Sequence, residues 1–222
     1  MAHPTLNTMR LSLSKRLLLS VCALFFACML AACPKPQRLP APLPDVSIGV
    51  TRFTQPTAIV ELMAGYLPKN QERVSEETMA GLDRAFGDML RARTSRNYTY
   101  APLLPRPDSA KSPTRVTMLD YWVSVGREAG VDYLLVPQIV NMHERDGGEY
   151  GVVRPAEILM DIYLVDVRNA TLTARCNYEE KQVGLTDNLL TLPKFMERGG
   201  IWVTAGELAQ EGMLKAIREF GL

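Results

Sequence analysis

Beyond residue 33 the chain carries one histidine, His143, and one cysteine, Cys176. That pair is too small for a zinc site of the usual ligand spacing. Nucleophilic catalysis needs an activated Ser, Cys or Lys beside a base. No Gly-x-Ser-x-Gly elbow, His-Glu-x-x-His helix or Walker loop occurs. His143-Glu144-Arg145-Asp146 has the outline of a kinase catalytic loop, but no matching Asn or glycine-rich loop accompanies it, so it reads as the polar end of a hairpin. Ser12 and Lys15 have the spacing of a penicilloyl-type pair, yet they precede the apolar run at 17–32 and belong to no folded body. Catalytic residues, a metal site and a cofactor site are therefore not identified, and no small-molecule substrate is evident. Two carboxylates across a cleft could still hydrolyse a glycan.

The most specific chemistry lies at Leu30-Ala31-Ala32-Cys33. Arg10, Lys15 and Arg16 precede an apolar run of 16 residues, Leu17 to Ala32. A bilayer-spanning helix takes about 20, so the run suits a signal core better than a permanent anchor. The arrangement resembles a bacterial lipoprotein signal, with Met1 or Met9 as its start. The resemblance implies cleavage before Cys33 and acylation of Cys33 with fatty chains such as palmitate. Pro34, where an inner-membrane retention signal would have Asp, implies the outer membrane, with the body facing the periplasm.

Residues 1–32 are thus expected to be a signal peptide. Removing them from 222 residues leaves 190, enough for one domain with a real core. The loss of Arg10, Lys15 and Arg16 leaves 22 basic against 24 acidic residues, a net charge near −2. No basic excess exists to neutralise a phosphate backbone, so nucleic acid is not an expected partner. Cys22 and Cys28 leave with the signal and Cys33 is consumed by lipid, so Cys176 has no disulfide partner within the chain. Pro34, Pro36, Pro40, Pro42 and Pro44 make residues 33–45 a tether of polyproline II character. At about 3.1 Å per residue the twelve residues between Cys33 and Val46 would span roughly 35–40 Å.

The body, residues 46–222, alternates between helical and strand periods. Val46 to Val50 opens a strand, and Thr54 to Asn70, with Pro56, Gly65 and Pro68, is a long loop with one helical turn. Ser75 caps a helix to Arg93 whose apolar face is Met79, Leu82, Phe86, Met89 and Leu90. Asn97 to Tyr100 is a short strand, and Ala101 to Pro113 is a proline-broken loop. Thr114 starts a second helix with Val116, Leu119, Trp122, Val123 and Gly126 on one face, and Gly130 ends it. Tyr133 to Met142 is a strand, and Arg145 to Gly148 reads as a hairpin turn. Glu157 to Val167 alternates with Ile158, Met160, Ile162 and Leu164 on one face. After a turn at Arg168-Asn169-Ala170, Leu172, Ala174, Cys176 and Tyr178 form one inner face. Thr204-Ala205-Gly206-Glu207 is a capping box opening a last helix, with Leu208, Ala209, Met213, Ala216, Ile217 and Phe220 inward. The order β-α-β-α-β-β-β-α predicts a single α/β domain, a mixed sheet with helices packed on one of its faces.

This order resembles a family of envelope domains that includes the N-terminal domain of the Tol-system protein TolB, the curli secretion lipoprotein, and the lipoprotein activators of penicillin-binding proteins. Val46 to Phe53, Ala129 to Val136 and Tyr163 to Thr171 carry the resemblance, which spans about residues 46–222. It implies protein–protein work in the periplasm and no catalytic residue. It draws attention to Asp132 and Asp166, either a shared polar site at one sheet end or, as local chemistry favours, a strand start and a turn support. The chain departs from the family at Val183 to Trp202, where Asn188, Leu189, Leu190, Leu192, Phe195 and Met196 read as a short amphipathic helix before Gly199-Gly200. Connections usually run about 4–6 residues, so this segment either caps the core or contributes to a partner-binding surface. Trp122 is expected in the core and Trp202 partly at the surface. No pair of alternating segments of about 10 residues is left over for a membrane hairpin. Three functions stay open: a non-enzymatic lipoprotein that binds another envelope protein, a subunit of an oligomeric secretion assembly, and a carboxylate-dependent cell-wall enzyme.

Overall fold

Residue 43 and residues 45–106, 117–183 and 192–222 are described by the structure, a computed structural model. Cys33, residues 34–42, Val116 and Asn188 to Leu190 lie outside the described residues. The chain forms β1 (Ile48–Val50), a 3-10 turn (Ile59–Glu61), α1 (Glu76–Arg93), β2 (Tyr98–Tyr100), α2 (Met118–Glu128) and β3 (Tyr133–His143). Then come β4 (Asp146–Gly148), β5 (Gly151–Arg154), β6 (Glu157–Asp166), β7 (Thr171–Lys181), α3 (Leu192–Glu197) and α4 (Ala205–Phe220). The mixed α/β domain expected from the sequence is what forms. Its main sheet has the order β2-β1-β3-β6-β7, with β1 parallel to both neighbours and β3, β6 and β7 antiparallel.

Local chemistry sets the helix ends. Ser75 Oγ accepts from the Thr78 amide at α1, a cap worth about 1 kcal/mol. Thr204 and Glu207 make the expected capping box at α4, which Gly221 closes at φ +65. The second helix differs from expectation. It starts after Thr117, not at Thr114, because Thr117 and Asp120 form a capping box of their own.

Helices cover both faces of the sheet, not one. On the first face α1 and α4 bury Leu82, Phe86, Leu208 and Met213 against Leu135, Ile139, Ile158, Met160 and Ile162. On the second, α2 buries Tyr121, Trp122 and Val125 against Leu134, Val136, Tyr163 and Val165. At about 1.5–3 kcal/mol per fully buried large apolar side chain, both layers matter. Gly212 lets α4 touch the sheet. A Cβ there would sit 2.3 Å from Met160 Cε and 2.8 Å from the Tyr178 ring.

Two irregularities change which side chains share a face. The β6–β7 register shifts between Leu164 and Val165, leaving Thr173 as an extra residue. Leu172 therefore packs on the second face, while Ala174, Cys176 and Tyr178 pack on the first. The predicted single face splits at that bulge. The Asp146–Gly148 segment is also corrected: it is a strand paired with Gly151–Arg154, and the turn falls at Glu149 and Tyr150. Gly147, at φ +133, lies so close to Gly151 O that a Cβ would come within 2.4 Å.

Candidate functional site

The second sheet face is not uniformly apolar. Beyond α2 it is roofed by the loop from Thr54 to Glu72, and the residues beneath are polar. Asp161, 1 % exposed, accepts from Arg175 Nε at 2.9 Å and Arg175 Nη2 at 3.0 Å, and from Asn177 Nδ2 at 2.9 Å. The register puts Asp161 opposite Asn177 and Tyr163 opposite Arg175, so one β6–β7 ladder assembles the cluster. Tyr163 donates to Ala64 O at 2.7 Å, tying the loop down, and burial raises its phenol well above its ordinary range. Gln138 Nε2 donates to Glu61 O at 3.2 Å, while its Oε1 is buried without a partner among the described residues. The cluster is a staple between sheet and loop, with its carboxylate neutralised by a bidentate guanidinium.

A second polar cluster closes the end of β3. His143 Nδ1 lies 2.8 Å from Glu72 Oε2, and Arg154 Nη2 donates to Glu72 Oε1 at 2.9 Å. Those bonds, from His143 first and Arg154 next, hold the Glu72 carboxyl below the ordinary range. The same end receives α3. The Trp202 amide donates to Glu149 O at 2.8 Å, and the Arg145 guanidinium donates to Trp202 O. Phe195 packs edge-to-face on Trp202 with ring centroids 6.0 Å apart. Arg198 is buried and donates to Glu211 at 2.6 Å and to Glu180 at 3.2 Å. Residues 192–202 therefore join the hairpin to α4. Around this anchored frame Tyr150 is 89 %, Val153 94 % and Met196 62 % exposed.

The acidic pair resolves into the local readings. Asp132 accepts from the Ser47 amide at 3.0 Å and Ser47 Oγ at 2.8 Å, and pairs with Arg168. Asp166 accepts from Asn169 N and Nδ2, both at 2.8 Å. The Ser47 bonds lower the Asp132 carboxyl, and the Asn169 amide lowers that of Asp166. Both hold the chain at the β1 end of the sheet, and no cleft separates them. A small hollow of about 240 Å³ is lined by Glu157, Glu179 and Glu180. Each is engaged: Glu157 with Lys181, Glu179 with the Tyr66 hydroxyl, Glu180 with Arg198. Cys176 is free and 1 % exposed, on the first sheet face as expected. Trp122 is in the core, and Trp202 is half-buried. Sequence reasoning missed Asp161 and Arg175. The signal was an Asp inside the otherwise apolar Ile158 to Val165 run, which a buried strand tolerates only when paired.

Among the described residues no His, Cys, Asp and Glu cluster could hold a metal ion, and no helix is long and apolar enough to cross a membrane. No protein-family model and no curated protein matches the chain. Solved structures do resemble it, at low similarity. A point variant of the PelC dodecamer from Paraburkholderia phytofirmans is 10 % identical, with a TM-score of 0.45 over 83 % of this chain and 95 % of that one. The C-terminal domain of LpoB from Salmonella enterica is 11 % identical, TM-score 0.33, over 70 % and 92 %. The lipoprotein GNA1162 from Neisseria meningitidis is 12 % identical, TM-score 0.32, over 69 % and 97 %.

Proposed function

We propose that this chain is an envelope lipoprotein, held in the outer membrane by acylated Cys33, whose periplasmic body binds another envelope protein without catalysis of its own. Residues 1–32 are the signal, 33–45 the tether and 46–222 the body. The observation that carries the reading is Leu30-Ala31-Ala32-Cys33 at the end of a 16-residue apolar run. The body supports it. Its clustered charged groups, Asp161 with Arg175 and Glu72 with His143 and Arg154, hold strands and loop together. The tether enters beside the start of β1, where the Leu43 amide donates to Gly221 O. β1 runs parallel to β3, so the β4–β5 hairpin and Trp202 lie at the other end of the sheet. Exposed Tyr150, Val153 and Met196 there are the contact surface, on a frame tied together by the Trp202 bonds to Glu149 and Arg145.

A photo-crosslinking side chain placed at Val153 in cells, with one at exposed Glu219 as control, tests this. The expected result is a discrete cross-linked species from Val153, lost or strongly reduced in Cys33→Ser, which also loses fatty-acyl label. Persistent acyl labelling of Cys33→Ser, or equal cross-linking from both positions, refutes it. Cross-links only to further copies of the chain would favour the assembly-subunit reading.

A further inference from the structure

A groove of about 480 Å³ runs between α1 and the edge strand β2. Its charge is one-sided. Among the described residues Arg52, Arg84, Arg91 and Arg96 line it, against one acid, Asp83. The whole chain has a formal net charge of only +1, so this is local concentration and not general basicity. Asp83, whose Oδ1 accepts from the Phe53 amide at 2.6 Å, lies near enough to Arg52 and Arg84 to attract both and offsets only part of it. Arg91 bonds Asp88 at the exposed surface, and Arg96 donates to Leu43 O, where the tether joins the body. Arg52 and Arg84 are exposed and make no hydrogen bond or ion pair among the described residues.

The groove follows α1 from Asp83 to Arg91. Arg84 and Arg91 are seven residues apart on α1, about 10 Å along the axis. Gly87 lies between them and lines the groove. A Cβ there would meet only the Arg91 guanidinium, at 3.5 Å, so the missing side chain leaves the floor open between the two cations. The floor is apolar, from Phe86 and Leu90, and the far wall is aromatic, from Tyr98 and Tyr100, of which Tyr100 is 59 % exposed. In an extended peptide, alternate side chains point to opposite sides, about 6.6–7 Å apart on each. Carboxylates on one side would meet the guanidiniums, and apolar side chains on the other would meet the tyrosines. A lipid headgroup or a glycan offers the anions without that second, apolar side.

We propose that the groove between α1 and β2 takes an extended acidic segment of a protein partner. The proposal rests on the reading of the body as a protein-binding module, and adds the chemistry of what is bound and a second place where it is bound. Arg52 and Arg84 hold carboxylates as charge-assisted forks. Gly87 gives the ligand backbone its approach, and Tyr98 and Tyr100 pack its alternate side chains.

The full-length protein in mild non-ionic detergent is titrated, by fluorescence anisotropy at low salt, into a fluorescein-labelled peptide of alternating glutamate and valine. Saturable binding that weakens with added salt is expected. Arg52→Glu with Arg84→Glu should weaken it by about tenfold or more, whereas Arg218→Glu, an exposed charge reversal on α4, should leave it within about twofold. Gly87→Leu changes no charge and should weaken it by blocking the floor; a circular dichroism melt checks that each variant is folded. Absence of binding overturns the proposal, as does equal weakening by Arg218→Glu or full binding by folded Gly87→Leu. Short-chain phosphatidylglycerol and a heparin oligosaccharide are competitors. Displacement by either at lower concentration than unlabelled peptide assigns the groove to lipid or glycan and overturns it too. None of these outcomes touches the Val153 cross-link, so the groove and the docking reading fail separately.

Discussion

Arg175→Ala is expected to destabilise the body more than Asp161→Ala, although the two changes break the same ion pair. Asp161 is 2 % exposed at its side chain and Arg175 is 30 % exposed. Without Asp161, the guanidinium can turn towards water. Without Arg175, the carboxylate stays under the Thr54 to Glu72 loop with Asn177 Nδ2 at 2.9 Å as its main donor, since the Tyr163 hydroxyl bonds Ala64 O more closely. Stranding a buried charge in this way costs about 3–5 kcal/mol. For a domain of this size that lowers the melting temperature by about 6–20 °C. Asp161→Ala should cost about 1–3 kcal/mol, from the donors left behind. The double change Asp161→Leu with Arg175→Met should recover most of the larger loss, because apolar groups of similar volume satisfy each other where half an ion pair cannot. Urea titrations followed by circular dichroism give the unfolding free energy of each of the four proteins. The reasoning fails if Arg175→Ala costs less than about 1 kcal/mol, or if the double variant is no more stable than Arg175→Ala.

Burial, and then the neighbouring Glu219, pushes the Cys176 thiol up to about 12. Thiolate is the reactive form. Modification of the native protein should therefore stay slow to about pH 9, while the unfolded chain, near about 8.5, reacts faster as pH rises; equal rates would contradict the burial. Phe195 is half-buried against Trp202, so Phe195→Ala should cost about 1–2 kcal/mol, below the 3–5 of a fully buried Phe. A urea-measured loss above about 3 kcal/mol would make it a core residue and remove it from any interface. Glu72 titrates below its ordinary range when folded, so its contribution is complete above that range and is lost as pH falls through the lowered value. Amide exchange of β4 and β5 should accelerate there before the sheet opens; simultaneous opening would detach Glu72 from the hairpin's stability.

The helices and long strands were legible because each carried two agreeing signals. α1 and α4 had a cap residue and a 3.6-residue apolar face, and β3 and β6 were too apolar and β-branched to be loops. What escaped reading has physical causes. In Glu157 to Val167 the alternation of Ile158, Met160, Ile162 and Leu164 concealed that Leu159, Tyr163 and Val165 are apolar too. A nearly continuous apolar run marks a strand buried on both faces, and α2 was waiting to cover the second. Thr173 bulges because of its pairing partner, and no property of residues 171–178 alone places it. Gly147-Gly148 looks like a turn by composition, yet the chain reverses one residue later. Of the candidate site, the apolar content of residues 188–202 was readable. The joining of Trp202 to Glu149 and Arg145 was not, since it spans more than fifty residues of sequence.

Tension along the chain is met by the place where the tether enters. The residues after Leu43 lead into β1, which is short, second from the sheet edge and parallel to the strands on both sides. A pull at Leu43, opposed by a grip on the β4–β5 hairpin at the far end of β3, drives β1 and β3 lengthwise past each other. Their cross-links, among them Thr51 N to Leu135 O and Thr54 N to Pro137 O, then share the load at once. They do not open one by one, as they would if the force peeled an outer strand sideways. The connection through β1 thus suits the arrangement proposed above, in which the body is held at one end by a membrane and at the other by a partner, when the two move apart.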